Sequence, residues 1–218
     1  MIQFSLWDIV RNLALAARWT IALSLAAFVL GSTLGLAILF ARTSRPLWLR
    51  RAASAHIELF QGTPLLMQLF LSFFGLSLFG IETSAWSAAV VALTLWTSAF
   101  LAEIWRGCVE GIPKEQWDAS ASLAMSYLQQ MRHVMLPQAL RIAIPPTVGF
   151  AVQVIKGTAL ASIIGFVELS KASTMITNAS FNPFTVYGMA ALIYFALCLP
   201  LSTFSRYLER RLRVTHRH

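Results

Sequence analysis

The sequence predicts an all-α protein that crosses a membrane about five times, and its composition and charge spacing lead to this class. Of its 218 residues, 57% are hydrophobic and only 12% are charged, and the mean hydropathy is +0.67. Soluble domains carry about a quarter charged residues, so this density excludes a water-soluble monomer, and the apolar content excludes a disordered chain. The charged residues are also separated by long uncharged segments, which is the pattern of membrane spans.

Five segments are long enough to cross a bilayer. Uncharged runs of 23, 23, 20 and 34 residues follow Arg18, Glu58, Glu82 and Lys171, and a fifth apolar segment is interrupted only by Lys156. A hydrocarbon core of about 30 Å needs about 20 helical residues. We therefore expect a single transmembrane domain over residues 1–218, without a cleaved signal peptide, whose spans lie near 19–41, 59–80, 84–105, 146–167 and 186–205.

The positions of the basic residues predict the orientation. The net charge is +8, and 13 of the 17 Lys and Arg residues lie in three segments that five spans place on the same face. The positive-inside rule makes this face cytoplasmic, so we expect an extracytoplasmic N-terminus and a cytoplasmic C-terminus. We interpret the basic excess as an orientation signal, with membrane lipid rather than nucleic acid as its partner.

A long loop, residues 106–145, separates the third and fourth predicted spans. Connections in helix bundles usually have 2–8 residues, so this length indicates a function. Pro113 begins a helix with many small side chains, a second helical piece follows from Tyr127 to Leu136, and Pro145-Pro146 is expected to mark the junction with the next span. Composition alone leaves open whether the loop faces lipid or a protein partner.

Two features within the predicted spans indicate a transport pathway. Lys156 falls near the middle of the fourth span, where it either contacts a substrate carboxylate or pairs with Glu103 or another acid to lock helices. Gly62-Thr63-Pro64 breaks the second span, either as part of the pathway or as an ordinary proline kink. The candidate pathway residues are Gly62, Thr63, Pro64, Glu103, Lys156 and Thr158.

Several motifs of enzymes are missing from the sequence. There is no Gly-x-x-x-x-Gly-Lys-Ser/Thr phosphate loop, and no His-Glu-x-x-His sequence. The two cysteines and four histidines form no pattern typical of a disulfide or a metal site. We therefore predict no catalytic residue, no metal and no cofactor, so any ATP hydrolysis must reside in a partner.

The loop resembles the cytoplasmic signature of the integral-membrane subunits of bacterial ABC importers. That signature reads Glu-Ala-Ala, three residues, Gly, nine residues, Ile-x-Leu-Pro; here Asp118-Ala119-Ser120, Ala124 and Val134-Met135-Leu136-Pro137 stand at the same spacing. Five further segments resemble the polar amino-acid branch of this family, with Gln61 in place of Arg and Gly157 in place of an acidic residue. These segments are Gln61–Leu66, Glu103–Gly107, Leu136–Ala139, Lys156–Leu160 and Arg206–Arg211.

The resemblance implies a permease subunit that translocates a polar amino acid across the bacterial inner membrane. It also implies its partners: two ATP-binding cassette subunits, a second permease subunit that is the same or a related chain, and an extracytoplasmic amino-acid-binding protein. The ATPase-docking residues that it implies are Asp118, Ala119, Ser120, Leu123, Ala124 and Pro137. The alternative function is an ion-coupled secondary carrier, which leaves the long loop and its spacing unexplained.

Overall fold

The computed structural model describes residues 5–44 and 46–213, and the regular elements of this part of the chain are helices. We number them as eight helices, in which short π-helical and 3₁₀ turns are counted with the helix that contains them. They are α1 (Leu6–Thr43), α2 (Leu47–Gly62), α3 (Leu65–Leu78), α4 (Ala85–Glu110), α5 (Lys114–Ser122), α6 (Tyr127–Ser162), α7 (Leu169–Ser180) and α8 (Pro183–Arg213).

The helix lengths confirm the predicted class of a polytopic membrane protein. Four helices, α1, α4, α6 and α8, are long and apolar enough to cross a bilayer. The pair α2 and α3 provides a fifth span that is bent by 105° at its break. The second predicted span is therefore a broken helix rather than a continuous one.

The helices extend beyond the predicted span ends because capping groups and neighbouring helices decide where they stop. α1 begins at Leu6 rather than near residue 19. At this start, the Ser5 hydroxyl accepts the Asp8 backbone N–H at 3.2 Å and the Asp8 carboxylate accepts the Ser5 N–H at 3.1 Å. This reciprocal capping box satisfies two donors that a helix start leaves unpaired. At 38 residues, α1 is about 57 Å long, which is longer than a bilayer core is thick.

The expected junction at Pro145-Pro146 is wrong, because both prolines lie inside α6. A proline removes one backbone donor and disfavours a helix interior, so the sequence favoured a boundary there. Packing against α8 opposes this tendency: the Ser205 hydroxyl donates to the Pro145 carbonyl oxygen at 2.8 Å. The helix therefore runs from Tyr127 to Ser162 without a break at the two prolines.

The core forms where α1 and α4 pack closely. Gly31 and Gly35 on α1 face Thr97 and Ser98 on α4, and a Cβ at either glycine would lie within 3.2 Å of α4 atoms. Small residues allow two helix backbones to approach in this way. Around this contact, Leu23, Leu93, Leu101 and Val154 form a fully buried apolar cluster together with neighbouring side chains.

Two smaller clusters position the elements that matter for function. At one end of the bundle, α7 packs its Leu169 and Ile176 against Leu13 of α1 and Val186 of α8. At the opposite end, α5 is held by a cluster in which Trp117 packs beside the buried residues Ile112, Met135 and Ala139. α7 and α5 thus lie at the two ends of the long helices.

Candidate functional site

The candidate site with the clearest geometry is the surface of α5 and the turn after it. Asp118 and Ala119 are exposed, and Leu123 remains 76% exposed directly after the helix. Tyr127 and Leu128, at the start of α6, are 68% and 76% exposed. We call these five residues the loop surface. A compact exposed apolar patch beside a carboxylate is typical of a surface that binds another protein.

The turn after α5 depends on a left-handed backbone conformation at the glycine position of the signature. Ala124 has φ +54°, in the left-handed region. Its N–H donates to the Ala121 carbonyl oxygen at 2.9 Å, and the Met125 N–H donates to the Ser120 carbonyl oxygen at 3.4 Å. This is the Schellman pattern of helix ends, in which the left-handed position favours glycine. The Gly of the family signature therefore has a physical reason, and Ala124 occupies its place under strain.

The six residues implied in ATPase docking differ in how exposed they are. Asp118, Ala119, Leu123 and Ala124 are exposed together, as a docking role requires. Ser120 does not fit a direct contact, because it is only 3% exposed and its hydroxyl donates to the Trp117 carbonyl oxygen at 2.9 Å. Pro137 lies on α6 two residues after the end of the π-helical turn Met131–Met135, which accommodates the backbone hydrogen bond that a proline cannot make.

The break between α2 and α3 is held by a buried side chain that the sequence analysis missed. Gln68 is 5% exposed, and its Nε2 donates to the Phe60 carbonyl oxygen, the Thr63 carbonyl oxygen and the Thr63 hydroxyl, each at 3.0 Å. It thereby satisfies carbonyls that the end of α2 leaves unpaired. A lone amide in the apolar run after Pro64 was the signal that could have found it, since polar groups at membrane depth are costly.

The break meets the end of α6. A Cβ at Gly157 would lie 3.2 Å from Leu65 Cδ2 and 3.5 Å from Leu93 Cδ2, so α6 passes close to α3 and α4 at this glycine. Gly62 on the other side of the break is open, with no atom within 4 Å of a Cβ placed there. Thr158 is fully buried and donates its hydroxyl to the Ile155 carbonyl oxygen at 2.7 Å, so it does not line an open pathway in this conformation.

The predicted lock between Lys156 and Glu103 is not formed. Glu103 instead accepts from its own helix neighbour Arg106, whose Nε lies 2.9 Å from Glu103 Oε2 and which also pairs with Glu110. Among the described side chains, Lys156 takes part in no ion pair. It is exposed in a groove of about 580 Å³ between α6 and α8, which Arg206 also lines. The groove contributes two cationic side chains and no carboxylate from its lining.

Comparison with known proteins decides the family. The family described as the inner membrane component of binding-protein-dependent transport systems matches residues 31–214. The chain belongs to this family of importer permeases. It is 35% identical to the probable amino-acid ABC transporter permease protein YckA of Bacillus subtilis, with 97% of this chain and 98% of that protein covered. It is also 35% identical to the L-cystine transport system permease protein TcyB of Bacillus subtilis, covering 97% of this chain and 90% of the relative.

The fold agrees with this assignment. The crystal structure of an amino acid ABC transporter with histidines matches with a TM-score of 0.90 and 31% identity, over 96% of this chain and 100% of that chain. The importer permease is therefore an inner-membrane transport subunit rather than an enzyme, and the ATPase activity lies in a separate subunit. Family membership also decides against the ion-coupled secondary carrier that the sequence left as the alternative.

Proposed function

We propose that this permease translocates a polar amino acid and is driven by two ATPase subunits that dock on the loop surface. The observation that carries the proposal is the loop itself: the signature spacing places Asp118, Ala119 and Leu123 together on an exposed patch. The carboxylate offers a partner for a cation on the ATPase, and the exposed Leu123 offers a side chain to fill an apolar pocket. The small Ala119 lets the partner approach the helix backbone.

The docking experiment enlarges this small residue. Ala119→Trp places a bulky ring on the exposed face of α5, so we expect ATPase copurification and transport to fall at least tenfold. Ala14→Trp is the matched control, because Ala14 is exposed near the start of α1, at the end of the bundle opposite α5. It should leave ATPase copurification and transport unchanged. Membrane levels of both variants are measured by immunoblot. If Ala119→Trp keeps its ATPase and its transport rate, the docking proposal is wrong.

We further propose that two copies of the permease, or this chain and a related one, enclose the pathway, and that an extracytoplasmic binding protein delivers the amino acid. The names of YckA and TcyB, and of the amino acid transporter of matching fold, support an amino acid as cargo. Uptake of labelled amino acids by cells with and without this gene identifies the cargo. Uptake that is unchanged for every amino acid would exclude this class of substrate.

Within the pathway, we propose that the Gly62-Thr63-Pro64 break lines the route and that Lys156 contacts the substrate carboxylate. The exposed ammonium and the lack of a carboxylate in its groove support this role. Lys156→Met should then lower uptake, while Lys156→Arg, which keeps the charge, should retain most of it. Normal uptake by Lys156→Met would show that the ammonium does not contact the substrate.

The proposed orientation places α5 in the cytoplasm and the N-terminus outside. Both native cysteines, Cys108 and Cys198, are buried, and replacing them with serine gives a background for labelling. A cysteine at the exposed Ser122 of α5 should react with a membrane-impermeant maleimide in inside-out vesicles and not in right-side-out vesicles. The reverse result would place α5 where no cytoplasmic ATPase can reach it, and both the orientation and the docking proposals would fail.

A further inference from the structure

Glu168 is a buried carboxylate at the start of α7 that the proposed transport route does not use. It is fully buried, and its Oε1 accepts the Lys171 backbone N–H at 2.9 Å. Its Oε2 accepts the Tyr194 hydroxyl at 2.7 Å and, more weakly, the Thr20 hydroxyl at 3.4 Å. Burying a carboxylate is costly unless donors surround it, so these bonds specify its position strongly. They come from α7, α8 and α1.

A second layer of hydrogen bonds extends this connection. The Ser170 and Tyr194 hydroxyls are 2.9 Å apart, so Ser170 can donate to the tyrosine oxygen while Tyr194 donates to the carboxylate. The Leu169 N–H donates to the Thr20 hydroxyl at 3.1 Å. We call Glu168, Thr20, Ser170 and Tyr194 the Glu168 cluster. It fastens the first turn of α7 to both neighbouring spans.

The segment just before Glu168 carries an aromatic side chain into the end of the bundle. Gly165 has φ +91°, a conformation that requires glycine, and it reverses the chain after α6. The Phe166 ring then packs 5.3 Å from Trp86 and 6.4 Å from Trp19, measured between ring centroids, and the two tryptophan rings are 5.9 Å apart. We call these three rings the aromatic plug. Trp86 starts α4, so the plug lies at the end opposite α5.

Two rings of the plug, Trp86 and Phe166, pack against the buried apolar cluster that contains Ala161 and Ile164 at the end of α6. Ile164 is 4% exposed and Ala161 is fully buried, whereas an open depression of about 420 Å³ lies against Trp19, Trp86, Phe166 and Val167. Phe166 is two residues from Glu168, and the Glu168 N–H donates to the Phe166 carbonyl oxygen at 3.1 Å. A movement of Glu168 out of its cluster therefore displaces Phe166, the ring of the plug that lies on the same segment.

We propose that Glu168 is a positioning residue that holds the aromatic plug closed, and that the plug is the outer gate through which substrate enters. The role of the plug as a gate rests on the proposed transport function, whereas its opening can be measured without transport. The gate needs a hinge, a plug and a fastening, and Gly165, Phe166 and Glu168 provide these within four consecutive residues. Opening breaks the Glu168 cluster and exposes Ile164.

Cysteine labelling in the assembled transporter measures this opening directly. Ile164→Cys is introduced into a cysteine-free chain, which is then treated with an impermeant maleimide. The rate at which this cysteine reacts reports how often the plug opens. We expect Glu168→Ala to raise this rate at least tenfold, since the Lys171 N–H and the Tyr194 hydroxyl lose their acceptor. Glu168→Gln, which keeps the shape and an acceptor oxygen, should label no faster than the parent chain.

Two further variants keep the test decisive. Asp8→Ala removes a carboxylate that caps α1 near the same end but lies outside the Glu168 cluster, and it should not change the rate. Tyr194→Phe removes one hydroxyl and should raise the rate by a few fold, which provides a reading if Glu168→Ala does not assemble. Equal rates in Glu168→Ala and the parent chain, or an equal increase in Asp8→Ala, would overturn the proposal.

ATP hydrolysis separates a gate from a merely structural contact. If the plug is the outer gate, weakening its fastening populates the open state without the binding protein, so basal ATPase activity should rise several-fold while transport falls. If Glu168 has only a structural role, its substitution loosens the fold and lowers both ATPase activity and transport. If the parent complex neither hydrolyses ATP nor transports, the proposed function fails, and the labelling difference still decides whether Glu168 holds the plug.

Discussion

The contact between α1 and α4 predicts a large effect from one methyl group. Gly31→Ala adds a Cβ that would lie 2.5 Å from Thr97 Cγ2, 2.6 Å from Thr97 Cβ and 3.2 Å from the Thr94 carbonyl oxygen. Thr97 is fully buried and β-branched, so its side chain has no alternative position on the helix that avoids the clash. α1 and α4 must therefore move apart.

The size of the effect follows from that separation. Carbon atoms in contact normally lie about 3.5–4.0 Å apart, so the helices must separate locally by about 1 Å. Overpacking of this kind costs about 1–3 kcal/mol, and the better helix propensity of alanine returns about 1 kcal/mol. Because the clash involves a rigid side chain and a backbone oxygen, we expect the upper part of that range and a net loss of about 2 kcal/mol.

Thermal unfolding of the purified complex in detergent measures the loss. A net change of about 2 kcal/mol in a chain of this size lowers the Tm by about 4–8 °C. Gly188→Ala is the matched control, because it makes the same substitution within α8 where no atom lies within 4 Å of the new Cβ. Its Tm should stay the same or rise slightly. If both variants unfold at the same temperature, the close approach of α1 and α4 is not what stabilises the bundle.

Three further predictions concern the turn after α5, the helix break and the Glu168 cluster. Ala124→Gly removes the strain of a left-handed alanine and should stabilise the loop by about 1 kcal/mol, measured as slower proteolysis of this loop; faster cleavage would contradict it. Gln68→Leu leaves two carbonyls unpaired and should cost about 2 kcal/mol, which a lower Tm detects; an unchanged Tm would show that other groups satisfy the break. Burial raises the pKa of the Glu168 carboxyl above its ordinary value, so the closed state binds a proton more readily than a hydrated open state. The stabilisation of the closed plug is therefore complete at acid pH and is lost as the pH rises through that raised pKa. The labelling rate of Ile164→Cys, divided by the rate of the same cysteine in the Glu168→Gln chain, should rise over this pH interval. A ratio that does not change with pH would refute the assignment of Glu168 as the titrating group.

The spans illustrate what a sequence pattern can predict. Uncharged runs set the number of membrane crossings, because a charge in hydrocarbon is costly wherever it lies along the chain. Helix ends were less predictable: α1 begins at Leu6 because of its capping box, and α6 passes through Pro145 because α8 packs on it. Both outcomes depend on contacts rather than on hydropathy.

The site residues divide in the same way. The spacing from Asp118 to Pro137 located the loop, and the glycine position in the signature matched the left-handed Ala124. The burial of Ser120 was not predictable, since it depends on which face a helix turns toward its neighbours, whereas the pairing of Glu103 with Arg106 follows from their i,i+3 spacing on one helix. Gln68 and Glu168 were missed because their partners are brought to them by other elements.

The close approach of α1 and α4 had a signal in the sequence that the lengths of the uncharged runs do not reveal. Gly31 and Gly35 are separated by three residues within an apolar span, a spacing that places both on one helix face and favours tight packing. Only the structure shows that this face meets Thr97.

By itself, the amino-acid sequence determined that this chain is a helical membrane protein, which face its basic residues favour, and where its long loop lies. These properties are local, because each follows from the cost of placing a given residue in hydrocarbon or in a helix. The tertiary structure alone decided that Glu168 joins three helices and that Phe166 meets two tryptophans. Such sites combine residues as far apart as Thr20 and Tyr194, and only packing brings them within hydrogen-bonding distance of a common carboxylate.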